Sequence, residues 1–145
     1  MSITVGQLLD KKGHEVHSVA PDTTVFETIE LMSKLGVHAS LVMEGNNLAG
    51  IITERDCTQR VVLKELPAKL TLVKEVMTEK LICVSPSNNI SECMAQMNKN
   101  HIRHLPVVER NVVRGVISIM DVIKNILLEK ETTIEQMEDY IAGSA

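Results

Sequence analysis

Slid against itself by 65 positions, this chain of 145 residues repeats. Val19 falls on Val84, Pro21 on Pro86, Met32 on Met97, Val42 on Val107, Gly50 on Gly115 and Asp56 on Asp121 without a slip in register. Eleven of the 38 positions between residues 19 and 56 are identical, where chance gives roughly two. Upstream the offset becomes 68, pairing Val5 with Val73 and Leu9 with Met77, so the first copy carries three extra residues around Gly13-His14-Glu15. A unit of about 60 residues buries too little surface to be secure alone, so the two copies are expected to share a core.

Both copies read in the same order. A β-prone run, 16–19 or 81–84, leads through a Pro turn and a polar N-cap cluster into a helix. The apolar positions Val25, Ile29 and Met32, or Ile90, Met94 and Met97, recur at helical spacing and are assigned to the core. Two further β-prone runs follow, 40–43 and 48–53 around Glu44-Gly45-Asn46-Asn47, then 104–108 and 112–118 around Glu109-Arg110-Asn111. A closing helix begins near Glu54 or Ile119 and runs through Val61-Val62-Leu63 or Val122-Ile123-Ile126-Leu127. The fold class is therefore α+β, two pseudo-symmetric β-α-β-β-α repeats at 1–63 and 73–128, joined by a Pro-containing linker at 64–72. Residues 129–145 form a charged tail with Ile134, Met137 and Ile141 at helical spacing, read as an amphipathic helix needing a partner surface, or else a frayed end.

Composition narrows the function. One Phe, one Tyr and no Trp leave no stacking platform for single-stranded nucleic acid. A formal charge of −4 opposes binding to phosphate backbones or anionic membranes, so neither nucleic acid nor membrane is expected as a partner. Three cysteines without a Cys-x-x-Cys pair point to reduced thiols, and no basic leader or long apolar run is present; the expected location is the cytoplasm. Cys57 is read as a packing residue. His14-x-x-His17 and His101-x-x-His104 lack the carboxylate or thiolate that would complete a tetrahedral set, so no metal is expected, and His101 is read as a helix end. No catalytic triad or carboxylate pair is recognisable, which favours binding over turnover.

The most informative segment is Gly50-Ile51-Ile52-Thr53-Glu54-Arg55-Asp56, repeated as Gly115-Val116-Ile117-Ser118-Ile119-Met120-Asp121. Each copy places a hydroxyl and a carboxylate at a strand-to-helix corner. An ionised Asp can accept hydrogen bonds from the paired hydroxyls of a ribose, while the opening helix offers free N–H groups to an anion. Ser/Thr-x-x-Asp is also an ordinary helix-capping arrangement, the commoner meaning of a single copy. Two copies in register, each preceded by Gly and two β-branched residues, favour the sugar-phosphate reading.

With the run Ile102-Arg103-His104-Leu105-Pro106-Val107-Val108, these features resemble tandem CBS domains, named after cystathionine β-synthase, over residues 3–128. The resemblance implies a Bateman module, two repeats packed through their sheets, with clefts that take AMP, ADP, ATP, S-adenosylmethionine or NAD. One cleft would use Ser118 and Asp121 for ribose with Met120 in the same loop, His17 and Val19 as wall, Val37 and His38 beside the base, and Arg103 and His104 at the phosphate. Its counterpart would use Thr53, Arg55 and Asp56 for ribose, Ile82, Val84 and Ile102 around the base, and His38 and Ala39 at a weaker anion end. The Asp121 cleft is expected to be the tighter. The resemblance and the apolar helix faces point to a homodimer, and with no target domain within these residues the regulated protein is expected to be a separate one; no cofactor is required beyond the regulatory nucleotide.

Overall fold

A computed structural model describes residues 3–143. Helix α1 (Val5–Lys12) precedes strand β1 (Ser18–Val19), helix α2 (Val25–Leu35) and the hairpin β2 (Ala39–Glu44) and β3 (Asn47–Thr53). Short helix α3 (Glu54–Cys57) passes into a π-helical turn, Thr58–Val62. After α4 (Val73–Val76) the order recurs as α5 (Ile90–Asn100), β4 (His104–Glu109), β5 (Val112–Ser118) and α6 (Ile119–Gly143). Strands β1, β2 and β3 form one sheet, β1 parallel and β3 antiparallel to β2; β4 and β5 form another. The fold is α+β, as expected.

The duplication extends to individual hydrogen bonds. Thr24 caps α2 by accepting from Glu27 N–H, and Asn89, 65 positions on, caps α5 by accepting from Glu92 N–H. Gly36 ends α2 in the left-handed region at φ 67°, and His101 ends α5 there at φ 53°, the helix-end role expected of it. Val19 pairs with Val42 in β1–β2, and Val84 makes the matching parallel bridge to Val107; that bridge is all that forms of the strand expected at 81–84.

The chain nevertheless folds into compact units that do not follow sequence order. One contains residues 15–83 and 108–114; the other contains residues up to 14, 84–107 and 115 onward. The leading segment of each repeat is exchanged. Residues 71–74 bond the turn before α2, through Val25 N–H to Thr71 O, Val73 N–H to Thr23 O and Lys74 N–H to Pro21 O. Residues 3–6 make the same three bonds before α5, through Ile90 N–H to Ile3 O, Val5 N–H to Asn88 O and Gly6 N–H to Pro86 O. The segment at offset 68 thus serves the repeat at offset 65 in the other half, which local sequence patterns do not reveal.

In the first unit Val25, Met32, Val42, Ile52, Cys57, Val61, Val73 and Val76 pack into one cluster. Ile90, Met97, Val107, Ile117 and Val122, the matched positions in the second unit, are equally buried. Each such side chain contributes roughly 1.5–3 kcal/mol by leaving water. The inward faces of the two long helices differ from expectation by one residue. Thr28 and Cys93 are fully buried, whereas Ile29 is partly exposed and Met94 half-buried. Thr28 can be buried because its hydroxyl donates to Thr24 O at 2.9 Å. The first closing helix is also shorter than expected, since Val61 is buried but Val62 and Leu63 are exposed on and after the π turn. The second is longer, because the tail continues α6 without interruption to Gly143; residues 1, 2, 144 and 145 of the expected first repeat and tail lie outside the described residues. No helix among the described residues is long and apolar enough to cross a membrane.

Candidate ligand site

At the start of α6, Ser118 and Asp121 form a reciprocal cap. Asp121 N–H donates to Ser118 Oγ at 3.2 Å, and Ser118 N–H donates to Asp121 Oδ2 at 2.8 Å. The same Oδ2 accepts from Lys12 Nζ at 2.7 Å, and Lys12 also donates to Val116 O at 2.7 Å. Among the described residues no donor bonds Oδ1. Burial, the largest single influence, pushes the Asp121 carboxyl up; the Lys12 hydrogen bond and charge and the Ser118 hydrogen bonds outweigh it and hold the group below the ordinary carboxylate range.

The matching corner in the other unit is more closed. Asp56 N–H donates to Thr53 Oγ1 at 3.1 Å and Thr53 N–H to Asp56 Oδ2 at 3.0 Å. Thr78 Oγ1 donates to both carboxylate oxygens, at 3.3 and 3.4 Å, and Arg60 Nε lies 3.8 Å from Oδ1. Thr78 is held in turn by a two-way backbone bridge with Ile51, at 3.0 and 2.9 Å. Ile51 and Val116 are repeat partners, as are Asp56 and Asp121. The carbonyl and carboxylate that Thr78 satisfies in one copy are thus satisfied by the Lys12 ammonium in the other. The sequence reading did not single out Lys12, Thr78 or Arg60; they come from the exchanged segments and the π turn, outside the repeated signature.

Around Asp121, the same unit holds Ile102, Arg103, His104 and Met120. Arg103 O accepts the first N–H of α6, from Ile119 at 2.8 Å, as His38 O accepts from Glu54 at 3.1 Å in the other unit. Arg103 and Met120 are exposed, Ile102 and His104 half-buried. Val84 is buried at its bridge to Val107. The unit that holds Asp56 also contains Thr53, Arg55, His38, Val37 and Ala39, together with His17, Val19 and Ile82; His17 O accepts from Leu41 N–H at 3.3 Å. His38 Nδ1 lies 3.1 Å from Glu54 Oε1, both side chains being exposed.

Cys57 and Cys93 are buried, and burial, reinforced by Asp56 and Glu54 at one and Glu92 at the other, pushes each thiol up to about 11. They pack and do not act as nucleophiles at neutral pH. His14 Nε2 sits 2.8 Å from Asp10 Oδ1, and no group of three metal-ligating side chains occurs among the described residues.

Residues 5–63 and 73–128 match the CBS domain, one after the other. The chain belongs to the CBS domain family. The mitochondrial CBS domain-containing protein CBSX3 of Arabidopsis thaliana is 32% identical over 98% of this chain and 73% of its own length. The structure of a protein with CBS domains from Burkholderia ambifaria superposes with a TM-score of 0.84 at 41% identity, covering 86% of this chain and 94% of that one. The CBS-domain structure NE2398 gives 0.85 at 38% identity, over 88% and 99%. CBS pairs are generally regulatory, ligand-binding modules.

Proposed function

We propose that this CBS pair senses an adenine nucleotide, AMP first and ADP, ATP or NAD as alternatives, with Asp121 accepting from the ribose hydroxyls. It acts by binding and not by turnover. Nucleotide occupancy favours one arrangement of the module and so alters its affinity for a separate protein by reciprocal linkage. The carrying observation is the open Oδ1 of an ionised Asp121 at the mouth of a helix, with Arg103 and His104 in the same unit to meet a phosphate. A ligand-free role is favoured at the other corner, where the protein's own donors occupy both oxygens of Asp56.

A thermal-shift panel of AMP, ADP, ATP and NAD tests this reading. A nucleotide at 100 times its dissociation constant adds roughly 2.7 kcal/mol to the native state. Asp121→Ala is expected to weaken binding by about 1.5–3 kcal/mol for each charged hydrogen bond lost, and Asp56→Ala to change stability but not affinity. Unchanged affinity in Asp121→Ala removes the ribose role. Product analysis after incubation with the same nucleotides is expected to return them intact.

A further inference from the structure

The Lys12 ammonium occupies one acceptor site of the Asp121 carboxylate. A carboxylate oxygen has about two acceptor sites, and both on Asp121 Oδ2 are filled, by Ser118 N–H at 2.8 Å and Lys12 Nζ at 2.7 Å. Ser118 N–H cannot leave without undoing the cap of α6. A single hydroxyl can bond Oδ1 alone, but a vicinal diol spanning both oxygens can do so only if Lys12 withdraws.

The two repeats differ in whether that withdrawal is possible. Thr78 is a short side chain on backbone bridged twice to Ile51, so a turn about χ1 can swing its hydroxyl off Asp56 but the residue itself stays beside the carboxylate. Lys12 is a long side chain, one-third exposed, at the last residue of α1, and Gly13 follows at φ 105° with no regular structure until β1. Its other contact, to Val116 O, is a single hydrogen bond. The duplicated corner thus carries a fixed plug in one copy and a releasable one in the other.

We infer that Lys12 is a specificity-determining latch on the Asp121 corner, exchanged for a ribose hydroxyl when a diol-bearing ligand binds and thereby coupling occupancy to the end of α1. This rests on the ribose reading of Asp121 given above. Lys12 opposes binding of a diol and is neutral towards a sugar with one hydroxyl at that edge.

Adenosine and 2′-deoxyadenosine are suitable probes, being uncharged and differing only in the diol. Calorimetric titration of the full chain is expected to show adenosine binding about two- to fivefold more tightly to Lys12→Met than to wild type, with 2′-deoxyadenosine unchanged. Lys12→Arg keeps the charge and is expected to restore the wild-type affinity. Adenosine is further expected to speed amide exchange at the C-terminal turn of α1 in wild type but not in Lys12→Met. Unchanged or weaker adenosine binding in Lys12→Met overturns the latch, provided Asp121→Asn abolishes the preference for adenosine. If wild type and Asp121→Asn discriminate the two nucleosides equally, or wild type does not discriminate them, the ribose reading itself has failed and the latch falls with it.

Discussion

Lys12 and Asp121 lie 2.7 Å apart with side chains 34% and 19% exposed, so their pairing is neither a solvated surface contact nor a deeply buried one. An Asp whose folded-state carboxyl titrates below its unfolded value stabilises the fold above that unfolded value, near pH 3.9, and the contribution disappears as pH falls through the folded value. Lys12→Met is expected to lower stability at neutral pH by about 0.5–1 kcal/mol, the upper part of the range for partly exposed pairs. The difference from wild type should shrink to nothing as pH drops below about 4. Melting curves across that interval check it; a difference independent of pH would assign the loss to packing of the lysine stem instead. The same substitution is thus expected to weaken the fold and tighten diol binding, a pair of signs that packing alone does not produce.

At the scale of elements, the glycine of each signature is explained by the exchanged segment lying against it. A Cβ at Gly50 would stand 2.8 Å from Thr78 O and 2.7 Å from Met77 Sδ, and the Thr78 backbone is fixed by its bridge to Ile51. A Cβ at Gly115 would meet Leu9 Cδ2 at 2.8 Å, the far end of a core side chain that can shift more readily than backbone. Gly50→Ala is therefore expected to cost about 1–3 kcal/mol and Gly115→Ala less than about 1 kcal/mol, measured by urea denaturation. Equal costs would show that β3 and β5 are crowded alike. The sequence pairs these glycines without distinguishing them, because the difference lies in what the opposite repeat lends to each.

For the whole molecule, the outer part of α6 carries a conspicuous exposed apolar stripe. Leu127 and Ile134 stand at seven-residue spacing with Met137 one turn on, and all three are more than half exposed. A heptad stripe of this kind is covered when two helices pair, so the chain is expected to be a dimer at micromolar concentration. Light scattering should return twice the 16.1 kDa chain mass, and Ile134→Glu should reduce it to the monomer value. A monomer in the wild type would leave the stripe to a different partner.

Short-range order was written in the sequence: the succession of elements apart from the strand expected at 81–84, the polar cluster that starts each long helix, the helix end at His101, and the two Ser/Thr-x-x-Asp corners. Each depends on residues a few positions apart, and duplication doubled the signal. Tertiary structure alone decided which leading segment serves which repeat, because α1 and α4 carry the same local pattern and only packing distinguishes their destinations. That choice sets Lys12 on one carboxylate and Thr78 on the other, and so separates two corners that read alike as sequence. A lysine that reaches an acceptor more than a hundred residues away leaves no periodicity or motif to find.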